Sequence, residues 1–143
     1  MILDNCSNLE YMCLSALNAM KNTYSPYSKF PVGAALETAS GEIFIGTNVE
    51  NCSYGLTMCA ERVAAFTAVA AGHTKFKRII TTTLLENGGS PCGACRQVLY
   101  EFGGPNMEII CLGINNAQII SSKKFKLSDL LPDAFGPAQL INF

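Results

Sequence analysis

The sequence predicts an α/β fold, a mixed five-stranded sheet sandwiched by helices. β-Branched stretches alternate along the chain with stretches whose apolar residues recur at helical spacing. A tight turn at Ser40-Gly41 joins the first two strands, so the sheet opens as an antiparallel hairpin. Apolar residues make up 49% of the 143, enough for the core of one domain spanning 1–143.

Leu9, Met12, Cys13, Ala16, Leu17 and Met20 fall on one face of a helix over 7–21, with Ser7 or Asn8 as its cap. Thr23-Tyr24-Ser25-Pro26-Tyr27-Ser28 breaks that pattern and reads as a loop. The hairpin strands are 31–38 and 42–48, followed by a polar loop over 50–57. Cys59 to Ala71 has no internal glycine or proline, and Gly72 ends it, which predicts a helix. Arg78 to Leu85 is a β-branched run that suits a buried strand. Glu86 to Pro91 is a loop, and Cys92 to Phe102 a helix closed by Gly103-Gly104. Strands over 107–114 and 118–122 and a short helix over 127–131 complete the fold; Asp133 to Phe143 fits no element.

The net charge is −1, and no basic run exceeds Lys123-Lys124. Gripping a long phosphate backbone needs clustered lysine and arginine, so a nucleic-acid partner is not expected. No segment approaches the roughly 18 apolar residues that span a bilayer, so no membrane partner is expected either. Met1 to Glu10 carries acids and asparagine where a secretory leader has a basic start and an apolar run. A reducing, cytoplasmic location is therefore expected. There the seven cysteines suit metal binding or plain burial better than disulfides. With His73 the single histidine, a two-histidine zinc site within one chain is excluded.

Two segments carry chemistry: Cys59-Ala60-Glu61-Arg62 and Pro91-Cys92-Gly93-Ala94-Cys95-Arg96. The Cys92–Cys95 spacing lets both sulfurs grip one metal ion, although the same spacing serves a redox dithiol. Each segment opens a helix, where free N–H groups and the helix dipole favour the thiolate that zinc needs. Cys59 supplies a third thiolate. Three protein ligands leave a fourth position open, the catalytic arrangement; a closed structural site would recruit Cys52 as its fourth ligand. Three thiolates on Zn²⁺ leave net negative charge, which Arg62 and Arg96 can offset by hydrogen bonding to ligand sulfurs. Glu61 is placed to move protons at the open side of the metal. Alone, it would read as a first-turn glutamate favoured by the dipole. Cys6, Cys13 and Cys111 read as core residues. Asn48 and Glu50 alternate along a strand end, so both side chains can address one hydroxyl, as a ribose would offer.

A ligand-x-Glu element followed by Pro-Cys-x-x-Cys is the signature of zinc deaminases. The chain resembles the small nucleoside cytidine deaminases over nearly its whole length. The matches run from Tyr24–Ala35 through Asn48–Asn51, Tyr54-Gly55-Leu56 and the two cysteine segments to Arg96–Leu99 and Leu130–Pro137. The resemblance implies a three-layer α-β-α fold, one Zn²⁺ per chain on Cys59, Cys92 and Cys95, and Glu61 as the catalytic acid–base. It implies that Asn48 and Glu50 bind the ribose 3′-hydroxyl and that Phe30 packs on the nucleoside. It further implies a homotetramer in which Cys52, Tyr54 and Phe135 line pockets of neighbouring subunits. Members of this type have small residues at the position of Cys52. A longer dimeric type has histidine where this chain has Cys59. The expected reaction is hydrolytic deamination of cytidine and 2′-deoxycytidine.

Overall fold

Glycine sets the hairpin. In the computed structural model, which describes residues 4–141, β1 (Val32–Thr38) and β2 (Ile43–Thr47) pair antiparallel with Ala35 opposite Ile45. Gly41 takes the left-handed position in the turn, with φ 97°. Next come α2 (Ala60–Ala70), β3 (Phe76–Thr83), α3 (Gly93–Gly103), β4 (Glu108–Asn115), β5 (Gln118–Lys126) and α4 (Leu127–Leu130), and α1 (Asp4–Met20) precedes the hairpin. The strand order is β2-β1-β3-β4-β5. β3 and β4 are parallel because α3 carries the chain back between them; every other neighbouring pair is antiparallel.

Alternation along the strands assigns the two faces. Ala35, Ile80, Ile110 and Leu112 meet Met12 and Ala16 of α1 on one side. Ala34, Leu36, Ile79 and Ile109 meet Ala60, Ala64 and Ala68 of α2 and Leu99 of α3 on the other. The result is three layers, α-β-α. Two glycines let the helices close on the sheet. A Cβ at Gly33 would stand 1.9 Å from the Ala16 carbonyl oxygen of α1, and one at Gly46 would stand 2.1 Å from the Ala60 carbonyl oxygen of α2.

Three boundaries differ from the sequence-based expectation. α1 begins at least as early as Asp4, so Ser7 and Asn8 lie inside it rather than capping it. Asn8 Nδ2 instead donates to Glu37 Oε1 at 3.0 Å. β3 lies two residues earlier than 78–85, because Phe76 packs into the core while Leu84 and Leu85 are exposed. β5 runs four residues past 122; its Ser-Lys stretch has no apolar pattern, and pairing with β4 as far as Glu108–Lys126 keeps it extended. Cys111 is buried and Cys13 half-buried against the α1-side core, as their sequence context implies. The side chain of Cys6 lies outside the described residues.

The antiparallel pairing of β1 with β3 decides where a site can form. Val32 at the start of β1 stands opposite Thr83 at the end of β3. The starts of α2 and α3 reach this same edge.

Candidate active site

Cys59 and Cys92 are the residues immediately before α2 and α3, each in extended conformation, and Cys95 lies in the first turn of α3. Neither cysteine caps its helix through a side-chain hydrogen bond. The sulfurs therefore stand where the positive ends of two helix dipoles converge. The three Sγ atoms lie within 4.8 Å of one another, with Cys59 and Cys92 at 3.8 Å. A tetrahedral zinc with bonds of about 2.3 Å to sulfur requires sulfurs about 3.8 Å apart, so this donor set fits the ion. Cys52 is not in the cluster: it is exposed in the loop after β2, near Asn51 Oδ1 at 3.8 Å.

Hydrogen bonding from Cys95 first, and from Arg62 and Cys92, pulls the Cys59 thiol down to about 5 against the opposing effect of burial. The proton stays with Cys95, which this bond and burial hold well above the ordinary thiol range. Arg62 Nη2 donates to Cys59 Sγ at 3.4 Å. Arg96 does not reach a sulfur. Its Nε and Nη1 donate to the carbonyls of Pro91 and Leu130, both at 2.7 Å, and Nη2 donates to Ser90 Oγ at 3.0 Å. It braces the start of α3 against α4, because carbonyls on both sides of the helix are nearer its guanidinium than the sulfurs are.

Glu61, in the first turn of α2, is buried, and burial pushes its carboxyl up to about 7. The charge of Cys59 adds to the rise, while Arg62 opposes it. A carboxyl held near neutrality can both take and return a proton.

Cys59, Glu61 and Cys92 share the wall of a cavity of about 410 Å³ with Phe30, Asn48 and Glu50. Asn48 is buried and largely committed: Nδ2 donates to the Phe30 carbonyl at 2.8 Å, and Oδ1 accepts from the Val32 N–H at 2.9 Å and from Thr23 Oγ1. One amide N–H remains for a ligand. Glu50 Oε1 accepts from the N–H groups of Tyr27 and Ser28 at 3.0 and 3.1 Å, leaving Oε2 for a ligand. Hydrogen bonding from Ser28 and Tyr27 holds the Glu50 carboxyl below its usual range. Together the pair offers one donor and one acceptor, the complement of a hydroxyl group.

A family model described as the cytidine and deoxycytidylate deaminase zinc-binding region matches residues 6–112. The chain belongs to this deaminase family. A probable cytidine deaminase of Dictyostelium discoideum is 43% identical over 138 residues, covering 96% of this chain and 90% of that protein. A cytidine deaminase of Sporosarcina psychrophila is 39% identical over 133 residues, covering 93% of this chain and 95% of that protein. The crystal structure of cytidine deaminase from Burkholderia pseudomallei matches with a TM-score of 0.81 at 43% identity, over 88% of this chain and 98% of that one. The five-stranded mixed sheet and its helices are therefore the architecture of this family. Membership makes the protein a zinc-dependent hydrolytic enzyme, and the three-cysteine cluster accommodates one zinc per chain.

Of the substrate-binding residues named from sequence, three stay out of this cavity. Cys52 is exposed; Tyr54 is 74% exposed, with its ring edge-on to Tyr27 at 5.5 Å between centroids; Phe135 is 58% exposed. Sequence reasoning missed Val32, Thr57, Thr83 and Leu85, which also line the cavity. Nothing in the sequence marks them, because their places follow from strand pairing and loop path.

Proposed function

We propose that this protein hydrolyses cytidine and 2′-deoxycytidine to uridine and 2′-deoxyuridine with release of ammonia, in pyrimidine salvage. The observation that carries this reading is Glu61: a buried carboxyl in the wall of a cavity that Cys59 and Cys92 of the three-thiol cluster also line. Cys59, Cys92 and Cys95 hold the zinc, which supplies Lewis acidity and makes water nucleophilic at neutral pH.

The chain's own residues do the rest. Asn48 donates to a ribose hydroxyl and Glu50 accepts from it, which fixes the sugar and aims the base at Glu61. The Phe30 ring packs on the nucleoside. Glu61 takes one proton from the attacking water and passes it to the ring nitrogen, then takes the second from the added oxygen and delivers it to the amino group. A C–O bond forms, the C–N bond breaks and ammonia leaves, with no change of oxidation state. Arg62 draws negative charge from the Cys59 sulfur and so keeps the thiolate set from overcharging the metal.

The protein is a homotetramer in this reading, with Cys52, Tyr54 and Phe135 completing neighbouring pockets. The exposure of Tyr54, Leu56 and Phe135, and the absence of Cys52, Tyr54 and Phe135 from their own chain's cavity, support it. Among the described residues no helix is long and apolar enough to cross a membrane. The free thiols of the site favour a reducing, cytoplasmic setting.

The test is the ultraviolet change of cytidine on adding purified protein, before and after a strong chelator. Conversion to uridine that the chelator abolishes is expected; a folded, zinc-loaded protein that leaves cytidine unchanged overturns the reading. Sedimentation of the same sample as a monomer, at full activity, overturns the tetramer.

A further inference from the structure

Thr81, Thr82 and Thr83 follow one another along β3, and all three are buried. Two of the hydroxyls are spent inside the fold. Thr81 Oγ1 donates to the Gly89 carbonyl at 3.2 Å, and Thr82 Oγ1 donates to the Ala16 carbonyl at 3.1 Å. Thr83 is only 3% exposed, yet its Oγ1 has no hydrogen-bond partner among the described residues. A buried hydroxyl left unpaired costs stability, and valine has the same branched shape and suits a strand as well. The hydroxyl is therefore not explained by the fold.

Its surroundings point to a ligand. Thr83 lines the cavity that contains Cys59, Glu61 and Asn48. It faces the α2–α3 side of the sheet, as Ile79 does two turns of the pleat earlier. A Cβ built at Gly89 would meet Thr83 Cγ2 at 3.1 Å, so glycine there leaves room for the Thr83 side chain. Gly89 leads through Ser90 and Pro91 to Cys92. Thr83 thus stands opposite Val32 in the β1–β3 pair, in the wall of the cavity that Cys59, Glu61 and Cys92 also line.

We propose that the Thr83 hydroxyl hydrogen-bonds the polar edge of the bound pyrimidine ring and helps to set its position against Glu61. This rests on the deaminase reading above. A hydroxyl gives a hydrogen bond to a ring carbonyl or accepts one from an amino group, and either satisfies an atom the fold leaves unpaired.

The experiment compares the wild type, Thr83→Val and Thr83→Ser, each fully zinc-loaded. It measures cytidine kinetics, uridine affinity by calorimetry and the thermal midpoint without nucleoside. In Thr83→Val we expect kcat/KM to fall about tenfold or more. Its midpoint should equal or exceed that of the wild type, because an unpaired polar atom has gone. Thr83→Ser should stay within about threefold of the wild type, because it keeps the hydroxyl. A matching loss of uridine affinity in Thr83→Val places the bond on the edge that substrate and product share; a loss confined to cytidine places it on the amino group. Wild-type kinetics in Thr83→Val, or a lowered midpoint with the activity loss shared by Thr83→Ser, overturns the proposal. The wild-type arm tests the deaminase reading separately: an inert, zinc-loaded wild type fails that reading, whatever the variants do.

Discussion

Two glutamates, Glu37 and Glu61, are buried to nearly the same degree, at 3% and 6% exposure, and they have opposite surroundings. Glu37 sits at the far end of β1. It accepts from Asn8 Nδ2 at 3.0 Å and Lys77 Nζ at 3.3 Å, and Arg78 Nε lies 2.9 Å from its second oxygen, as an ion pair off the hydrogen-bond axis. The network continues from Arg78 to Glu108 at 3.6 Å and from Glu108 to Lys124 at 2.8 Å, crossing four strands. Glu61, at the site edge, has a thiolate-forming Cys59 beside it and a single guanidinium, Arg62, that is drawn to the sulfur. Pairing makes one carboxylate a brace between strands. Burial without matched pairing leaves the other ready to exchange a proton.

Replacing each acid by its amide separates the two roles. Glu61→Gln should keep its zinc, measured by metal analysis, and lose about a thousandfold in cytidine turnover. Its stability should move the other way. A carboxyl raised in the folded state binds its proton more tightly there than in the unfolded chain, so it costs stability as pH rises from about 4 through about 7. Glutamine removes that cost, so the variant's thermal midpoint should equal or exceed the wild type's at pH 8 and converge with it at pH 5. Near-normal turnover in Glu61→Gln removes the residue from the chemistry. Glu37→Gln should do the reverse: unfolding in urea should show a loss of about 1–3 kcal/mol, because Arg78 and Lys77 are left facing an amide, with kcat/KM within about threefold of the wild type.

The two arginines sharpen the same contrast on a smaller scale. Arg62→Gln should weaken zinc retention about tenfold in a chelator competition, because it removes the donor on Cys59 Sγ. Arg96→Gln should leave zinc affinity unchanged and cost about 1 kcal/mol in urea, because its bonds go to Pro91, Leu130 and Ser90. Equal zinc loss in both variants would erase the distinction between a residue on the metal cluster and one on the frame.

The metal cluster was legible because its determinants are local. Cys92 and Cys95 are close in sequence, a helix start can be read from Pro91 and the run that follows, and Cys59 opens an equally clear helix stopped at Gly72. The hairpin was legible for the same reason. β5 was only half legible: its Ser121–Lys126 stretch is extended because β4 offers hydrogen bonds, and no property of serine or lysine announces that. The role of Arg96 was open because two arginines in equivalent sequence positions face different neighbours once the helices pack.

The sequence by itself determined that three thiols and a carboxylate open two helices, and with them the class of chemistry, because metal ligation and helix starts depend on residues near one another in the chain. Tertiary structure alone decided that Val32, Asn48 and Thr83 meet those helix starts around one cavity, and that Glu37 is braced by Lys77 and Arg78 while Glu61 is not. Antiparallel pairing of β1 with β3 and the packing of α2 and α3 on one face bring together groups dozens of residues apart, and burial at that junction raises the Glu61 carboxyl.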